Sequence, residues 1–243
     1  MATAKDIIVK VIPSNVANAF VRRHHYSGKV VNNSTLHFGA FINDALHGVL
    51  SYGNPLDKRK VLGLVVDADG KPALWNEMLE LNRMAFDSVL PKNSESRCIA
   101  ITLRLIKKNA PHIRWVLSFA DGTQCGDGTI YRASGFMLTG ASTASMIELP
   151  ERYWKLNGGK YAHRMTLQAK SSLMYRAMER DLRLNGANKP LEWYAEKLGT
   201  RVMEGYQFRY IKILDPRFRL AVPELPFSTI DEIGGGMYLG EKR

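Results

Sequence analysis

The segment Trp115–Asp121 (WVLSFAD) decides the fold, because it is a continuous apolar run that ends in a polar residue. Unbroken apolar runs of this length are typical of strands at the centre of a sheet. A glycine-rich stretch over 121–128 follows, then a short helical segment over 129–134, and Phe136 begins another strand. The segment therefore predicts a central strand whose carboxyl end carries a loop and a helix, which is where open α/β sheets bind their ligands.

The elements around this segment alternate between strands and helices. Residues 6–12 are rich in β-branched side chains and end at Pro13, which favours a short strand, and Ser14 can begin a helix that runs to about His24. The further elements that we predict are strands over 36–42 and 46–52 joined by a tight turn, a strand over 74–86, a helix that starts at Asn93 or Ser94 and ends at Pro111, a helix over 166–184, and a strand over 206–214. This order predicts an α/β fold with a mixed sheet flanked by helices.

The chain is strongly basic, and its excess charge is concentrated in one part. The net charge of the 243 residues is +11 at pH 7, and residues 151–220 contribute +8 of it. The predicted helix over 166–184 carries Lys170, Arg176, Arg180 and Arg183, and Arg209 lies among aromatic residues in the predicted strand over 206–214. Basic side chains interleaved with aromatic ones favour contact with phosphates and stacking on bases, and a solvated helix surface is the alternative.

Three segments follow from this distribution of charge. We expect a core over 1–150, a basic extension over 151–222 that completes the sheet and binds nucleic acid, and a tail over 223–243. Cys98 and Cys125 are too few for a secreted disulfide framework, and they lack the spacing of a zinc site. No apolar run reaches the ~18 residues of a membrane span. We therefore expect a cytoplasmic protein with a polyanionic partner and no membrane contact.

Asp121 and Tyr131 are the candidates for an acid–base pair, because a carboxylate and a phenol can exchange protons with a substrate. Alternatively, Asp121 braces the glycine-rich loop and Tyr131 is a packing residue. Arg83 lies in an apolar strand, where an unpaired guanidinium is costly. Because side chains alternate along an ideal strand, Glu80 and Arg83 would lie on opposite faces, so we expect a bulge or an external partner there.

Other polar residues fall at loops and helix ends. Ser96 lies at the start of a predicted helix, where backbone N–H groups suit an anion, although such residues also serve as caps. Tyr52 follows the second hairpin strand and could place its ring against a base or simply belong to a turn. His24 and His25 are adjacent, and adjacent imidazoles point apart, so we expect no metal site.

Several motifs together resemble the Mom family of DNA-modification proteins of Mu-like phages. They are HHYSG at 24–28, ELNR at 80–83, SESR at 94–97, SFAD at 118–121, GTIYRASGF at 128–136 and RYI at 209–211. The resemblance implies the GNAT acyltransferase fold, with strands splayed around an acyl site. It also implies an enzyme that places a carbamoylmethyl group on the N6 amine of adenine in double-stranded phage DNA, which protects that DNA from restriction.

The resemblance implies an active site that contains Arg83, Ser96, Asp121 and Tyr131, together with Tyr52. The reaction then suggests their roles: Asp121 would be the base for the adenine amine, Tyr131 would protonate the leaving oxygen or orient the base, and Arg83 and Ser96 would hold the donor. Tyr26, Tyr52 and His25 would bind the substrate, since an adenine extruded from the duplex needs aromatic partners. The expected DNA-binding residues are Lys170, Arg176, Arg180, Arg183 and Arg209. An iron ion would have His24 and His25 as its candidate ligands.

The expected donor follows from a departure from the superfamily pattern. Coenzyme A enzymes of this superfamily have a glycine-rich loop that cradles the pyrophosphate, whereas residues 84–97 contain no glycine, and Pro91 removes one backbone donor. The family's product also has N6 bonded to a methylene carbon, which acyl transfer from acetyl-CoA cannot give. N6-glycyladenine could rearrange to it through a five-membered ring.

We therefore favour glycyl-tRNA over acetyl-CoA as the donor, which makes tRNA a second nucleic-acid partner. Two alternative functions stay open at this point. The chain could be a GNAT acyltransferase that acts on the amine of a protein or small molecule, or a non-enzymatic protein that binds nucleic acid.

Overall fold

The computed structural model describes residues 3–123, 126–238 and 241–242, so Gln124 and Cys125 of the glycine-rich stretch lie outside the described residues. The chain forms two compact units. The larger unit consists of residues 1–142 and 207–243, and the smaller unit consists of residues 143–206. These limits differ from the boundaries at 150 and 222 that we expected from charge, because the chain returns to the larger unit at residue 207.

The secondary structure follows the expected order of elements. The strands are β1 (Ile8–Val11), β2 (Ser34–Ile42), β3 (Ala45–Gly53), β4 (Val65–Val66), β5 (Met78–Phe86), β6 (Trp115–Asp121), β7 (Met137–Thr143), β8 (Met146–Glu148), β9 (Tyr161–His163), β10 (Tyr206–Ile213), β11 (Arg219–Leu220), β12 (Met237–Tyr238) and β13 (Glu241–Lys242). The helices are α1 (Ser14–His24), α2 (Ser94–Asn109), α3 (Thr129–Ala133), α4 (Glu151–Asn157), α5 (Arg164–Leu167), α6 (Leu173–Leu182), α7 (Leu191–Leu198) and α8 (Ser228–Glu232).

A seven-stranded sheet dominates the larger unit, with the order β1-β2-β3-β5-β6-β10-β7. β5 and β6 pair in parallel, while β1 with β2, β2 with β3, β3 with β5 and β6 with β10 pair antiparallel. The turn between β2 and β3 has positive φ at Asn43 and Asp44, as a tight hairpin turn requires. The prediction of an α/β fold with a mixed sheet flanked by helices is therefore confirmed.

The two long helices of the larger unit pack on opposite faces of this sheet. Val49 of β3 and Ala85 of β5 pack against Ala17 and Val21 of α1. The neighbouring side chain Tyr52 points the other way, and its hydroxyl lies 2.6 Å from the hydroxyl of Thr102 in α2. Because side chains alternate along each strand, every sheet residue can be assigned to the α1 face or to the α2 face.

The sheet splits between β5 and β6. The two strands pair only from Met78 with Trp115 to Leu81 with Ser118. β5 then continues to Phe86 along β3, whereas β6 continues to Asp121 along β10. The hydroxyl of Ser118 donates to the carbonyl of Leu81 at 2.9 Å, where the pairing ends. The opening beyond this row, which we call the split, confirms the splayed strands that we expected.

β5 also carries a bulge, as the spacing of Glu80 and Arg83 predicts. Leu81 pairs with Tyr52 and Arg83 pairs with Ser51, so Asn82 is an extra residue between two consecutive partners on β3. An inserted residue reverses the alternation of side chains beyond it. Arg83 therefore points to the same face as Glu80, and of the two alternatives that we expected, a bulge or an external partner, the bulge is present.

The smaller unit is built around its own apolar core. The core side chains come from β8, β9, the four helices α4 to α7 and the adjoining loops, and they include Tyr153, Tyr175 and Tyr194. The single helix predicted over 166–184 is wrong, because α5 ends at Leu167 and α6 begins at Leu173. The side chain of Ser172 accepts from the backbone N–H of Tyr175 and thereby caps a new helix.

Hydropathy adds one further finding. Within the described ranges, no helix is both long enough and apolar enough to cross a membrane.

We predict that Gly53→Ala destabilises the larger unit. A Cβ at Gly53 would overlap the backbone carbonyl oxygen of Asn33, which cannot move as a flexible side chain can. We expect the free energy of unfolding to fall by about 1–3 kcal/mol. Gly140→Ala is the control, because its Cβ would meet only side-chain atoms of Arg209, at 3.2 Å or more, and no backbone atom within 3.5 Å. Equal losses in the two variants, measured by urea denaturation, would contradict the contact.

Candidate functional site

Three charged side chains share the α1 face beside the split. Glu80 pairs with Leu117 of β6, so both side chains lie on one face. Alternation along β6 places Asp121 on the same face as Leu117, and the bulge places Arg83 there as well. Glu80 and Arg83 thus lie on one side of the split and Asp121 on the other.

The loop of residues 25–33, which follows α1, crosses this face. The hydroxyl of Tyr26 donates to Oδ2 of Asp121 at 3.1 Å, and the Lys29 carbonyl accepts from Nε of Arg83 at 2.8 Å. The Asn33 carbonyl occupies the space in front of Gly53, the residue that pairs with Glu80. The 25–33 loop therefore contacts both sides of the split and partly encloses the charged side chains.

Hydrogen bonds orient the carboxylate of Asp121. Its Oδ1 accepts from the backbone N–H of Thr123 at 3.0 Å and from the Thr123 hydroxyl at 2.6 Å, while its Oδ2 accepts from Tyr26. Tyr26 itself is 53% exposed, so much of its ring surface is accessible. The structure thus brings Asp121 and Tyr26, which are far apart in the sequence, into one arrangement of an oriented carboxylate beside an accessible aromatic ring.

Arg83 dominates the electrostatics of this face. Burial, together with the smaller effect of the nearby Arg83 charge, lowers the pKa of His25 to about 4, so the imidazole is neutral at pH 7. Burial and then Arg83 also lower the pKa of Lys29. For Glu80, burial raises the pKa to about 7, while Arg83 acts in the opposite direction. Glu80 is therefore able to exchange a proton near neutral pH.

Tyr131 approaches the split from the α2 face. Tyr52, Leu81, Ser118 and Tyr210 form one row across four strands, and this row is the last one before the split. The ring of Tyr131 lies 5.3 Å from that of Tyr210, and Tyr131 also interacts electrostatically with Tyr52. Tyr131 is buried. The structure therefore places Asp121 and Tyr131 on opposite faces of the sheet, beside the same opening.

Tyr52 does not have the place that we expected for it. Its side chain is fully buried, and its hydroxyl is bonded to Thr102. Burial raises the pKa of its phenol. A buried ring offers no surface on which an extruded adenine could stack, so Tyr52 is a core residue that supports the row beneath Tyr131.

Ser96 lies in the first turn of α2, as predicted. Its hydroxyl donates to the Asn93 carbonyl at 3.2 Å. Asn93 is in the left-handed region, with a φ of 69°, and precedes the helix as its N-cap. The first backbone N–H groups of a helix have no acceptor within the helix, so this end of α2 can receive an anion or a carbonyl.

The adjacent histidines do not fit an iron site. The ring of His24 stacks on that of Phe20 with centroids 4.2 Å apart, whereas His25 packs on Tyr26 and its Nδ1 lies 2.8 Å from the Ser27 hydroxyl. The two imidazoles therefore have separate surroundings. Among the residues that the structure describes, no group of three or more His, Cys, Asp or Glu side chains is arranged to hold a metal ion.

The predicted DNA-binding residues fall into two groups. Four of them are exposed on the smaller unit, namely Lys170, Arg176, Arg180 and Arg183. Lys170 precedes α6, and Arg183 ends it with a φ of 52°. Arg209 differs, because its guanidinium donates to the hydroxyl and the carbonyl of Thr139 at 3.1 and 2.6 Å within the larger sheet. These bonds give Arg209 a structural role.

Sequence reasoning missed the contributions of Glu80 and Thr123 to the site. From the sequence we considered Glu80 only for its spacing from Arg83 and assigned it no role in the site. That spacing nevertheless indicated that a bulge could place the two side chains on one face. Thr123, which orients Asp121 through two hydrogen bonds, follows it by two residues. This spacing is the usual signal of an aspartate that accepts from the backbone two residues on.

The fold and the site together define a class of protein. It is a mixed α/β protein whose central sheet splits between two parallel strands, with ionisable side chains beside the split on both faces. The particular family is shown by comparison with known sequences: the model of the Mom protein family matches residues 6–229, and the chain belongs to this family.

A curated relative agrees with this assignment. The methylcarbamoylase mom of Escherichia phage Mu is 33% identical over 217 residues, which cover 89% of this chain and 79% of the relative. The resemblance that the motifs indicated is therefore confirmed.

Solved structures give much weaker likenesses. An acetyltransferase of Bacillus subtilis in complex with CoA has a TM-score of 0.41 and 8% identity, over 85% of this chain and 98% of that one. A putative phosphinothricin N-acetyltransferase has a TM-score of 0.39 and 14% identity, over 57% of this chain and 87% of that one. Both TM-scores lie below 0.5, so neither likeness assigns a function.

The raised pKa of Glu80 predicts a pH-dependent stability. Folding raises this pKa from 4.5 to about 7, so the folded protein keeps a proton that the unfolded chain has already released. Stability from this group is therefore lost as the pH rises from about 4.5 to 7, by up to roughly 3 kcal/mol. Glu80→Gln cannot ionise, so we expect its free energy of unfolding, relative to the wild type, to be greater at pH 8 than at pH 5. An equal difference at both pH values would contradict the shift.

Proposed function

We propose that this protein modifies DNA by placing a carbamoylmethyl group on the N6 amine of adenine, which protects the DNA from restriction. Membership of the Mom family and the identity with a methylcarbamoylase support a group-transfer role. The observation that carries the proposal is the contact between Asp121 and Tyr26 at the split. It joins an oriented carboxylate, which can accept a proton from a reacting amine, to an accessible aromatic ring, on which an extruded base can stack.

Asp121 acts as the base in this proposal. The adenine amine is a poor nucleophile because its lone pair is delocalised into the ring, so it must lose a proton as it attacks. The Asp121 carboxylate is held by Thr123 and Tyr26 and can accept that proton. Tyr26 stacks on the extruded adenine, and the neutral His25 beside it lengthens the apolar surface.

The donor approaches the split from the opposite side of the adenine. Arg83 lies beside the split on the α1 face, and its guanidinium can stabilise the negative charge that develops on the donor carbonyl. Ser96 and the first turn of α2 hold the phosphate end of the donor. Tyr131, which reaches the split from the α2 face, protonates the leaving oxygen.

We favour glycyl-tRNA over acetyl-CoA as the donor. The connection between β5 and α2 has no glycine, and the Pro91 carbonyl accepts from both the N–H and the hydroxyl of Ser94, so this connection closes on itself. It thus differs from a glycine-rich loop that presents its N–H groups to a pyrophosphate. Transfer of glycine to N6 also leads to the carbamoylmethyl product by rearrangement, without attack at a methyl carbon.

The smaller unit supplies the contact with the nucleic-acid backbone. Arg176 and Arg180 lie one turn apart on α6, and Arg183 follows at its end. All three side chains are exposed, whereas Met174 and Met178 of the same helix are buried in the core of the unit. An exposed row of arginines at helical spacing can follow consecutive phosphates.

The reaction itself tests the proposal. We expect purified protein, DNA and labelled glycyl-tRNA to give carbamoylmethyladenine, detected by mass spectrometry of the nucleosides, and labelled acetyl-CoA to give none. Asp121→Asn should lower the rate by roughly 10²- to 10⁴-fold while leaving the affinity for DNA unchanged. Asp127→Asn is the control, because the Asp127 carboxylate lies just before α3 and accepts from the backbone N–H and the hydroxyl of Thr129, as Asp121 does from Thr123, but lies on a different segment.

Other outcomes would overturn particular parts of the proposal. Label that reaches adenine from acetyl-CoA alone would reject the donor, and an active Asp121→Asn variant would reject the base. An acylated protein or small-molecule amine with unmodified DNA would favour a different acyltransferase, and DNA binding without any product would favour a non-enzymatic role.

Replacement of Arg176, Arg180 and Arg183 by alanine should weaken DNA binding without altering the chemical step. Each lost phosphate contact should reduce the slope of log affinity against log salt concentration by about one unit. The control variant replaces Arg104, Lys107 and Lys108, three exposed cations of α2, and thus has the same net charge. Equal salt slopes for the two variants would show that only net charge, and not the α6 surface, governs binding.

A further inference from the structure

The split contains a second carboxyl group to which the proposed steps give no task. Glu80 lies on the α1 face in the row of Gly53 and Leu117, just before the pairing of β5 and β6 ends. Asp121 lies four residues beyond Leu117 on β6, which corresponds to ~13 Å along the strand. Because their backbone positions lie this far apart along the strands, we expect the two carboxyl groups to face different parts of a bound substrate.

Glu80 lies at the enclosed end of the split. The Asn33 carbonyl covers the neighbouring Gly53, and Lys29 of the same loop binds Arg83. Asp121, in contrast, contacts the exposed Tyr26. If the adenine enters beside Tyr26, the enclosed end with Arg83 receives the acyl group of the donor. Glu80 therefore faces the acyl group and not the base.

A carboxyl group in this place has a consequence for the donor. Burial raises the pKa of Glu80 to about 7 against the opposing charge of Arg83 on its own strand, and the same Arg83 charge lowers the pKa values of His25 and Lys29 in the loop. An acetyl group would bring only a methyl group to this carboxyl and leave it without a partner, which is unfavourable in an enclosed site. An amino group would bind it and exchange a proton with it.

We infer that Glu80 binds and deprotonates the α-amino group of the donor, so that the site selects an aminoacyl ester over an acyl group that has no amine. This inference rests on the proposed function and specifies its donor class.

The same carboxyl group can serve the rearrangement that follows acyl transfer. In N6-glycyladenine, the glycyl nitrogen attacks C6, and Glu80 takes the proton that this nitrogen loses. The bond between C6 and the original N6 then breaks, and the departing nitrogen takes a proton from Glu80 and becomes the amide. Both nitrogens are bonded to C6 in the five-membered ring, so one carboxyl group can reach both of them. The step is an isomerisation, because it neither gains nor loses atoms.

Binding of two stable mimics of the donor terminus tests the inference. The probes are 3′-glycylamido-3′-deoxyadenosine and its 3′-acetylamido analogue, which lacks the amine. We expect the wild type to prefer the glycyl mimic by roughly 10- to 100-fold, the range of a charge-assisted hydrogen bond. Glu80→Gln should abolish the preference, Glu80→Asp should keep part of it, and the control Glu192→Gln, which removes an exposed carboxylate of α7, should keep all of it.

The reaction with glycyl-tRNA gives a second readout. DNA treated with Glu80→Gln should accumulate N6-glycyladenine, which has the mass of the product but reacts with amine reagents. A preference for the glycyl mimic that survives in Glu80→Gln would overturn the inference while leaving the proposed function intact. A wild type that prefers neither mimic and modifies DNA from acetyl-CoA would overturn both the inference and the proposed donor.

Discussion

The whole site depends on where the hydrogen bonds between β5 and β6 stop. Pairing ends at Leu81 and Ser118, and the side chain of Ser118 takes over the Leu81 carbonyl at that point. Beyond this row β5 continues along β3 and β6 continues along β10, so hydrogen bonds of the ladder no longer join β5 to β6. A continuous ladder would leave no opening between the two strands.

The bulge at Asn82 determines which side chains lie beside that opening on the α1 face. Without the extra residue, Arg83 would point to the α2 face, into the packed layer between the sheet and α2. With it, Arg83 joins Glu80 on the α1 face, where the loop carbonyl of Lys29 binds the guanidinium. This hydrogen bond reduces the free-energy cost of burying the guanidinium, and the raised pKa of Glu80 reduces the cost of burying its carboxyl group, because the group is then partly protonated at neutral pH. A carboxyl group in this state is suited to proton transfer.

Local sequence patterns predicted most of the elements, and the bulge as one of two alternatives, because these features depend on neighbouring residues. The apolar run of β6, the turn at Asn43 and Asp44, and the spacing of Glu80 and Arg83 each specify a local geometry. The side-chain direction of Tyr52 could not be predicted, since it depends on the register between β3 and β5. The helix over 166–184 was mispredicted because Ser172 starts a new helix within a stretch that is apolar at helical spacing.

The contact between Tyr26 and Asp121 could not be predicted either, because it joins a loop to a strand far along the chain. The motif resemblance named both residues, but it could not show that they touch or that Tyr131 lies on the other face of the sheet. Long-range packing places these groups around one opening, and this arrangement gives the family motifs a chemical meaning.

The path of nitrogen during the reaction tests this account most directly. Glycyl-tRNA labelled with ¹⁵N in its amino group would be supplied with unlabelled DNA, and the modified nucleoside would be fragmented in a mass spectrometer. The account predicts that the ¹⁵N atom is bonded to C6 of the purine and that the terminal amide holds the original adenine nitrogen. Label in the terminal amide, or a modified adenine without label, would contradict glycyl transfer followed by rearrangement at the split.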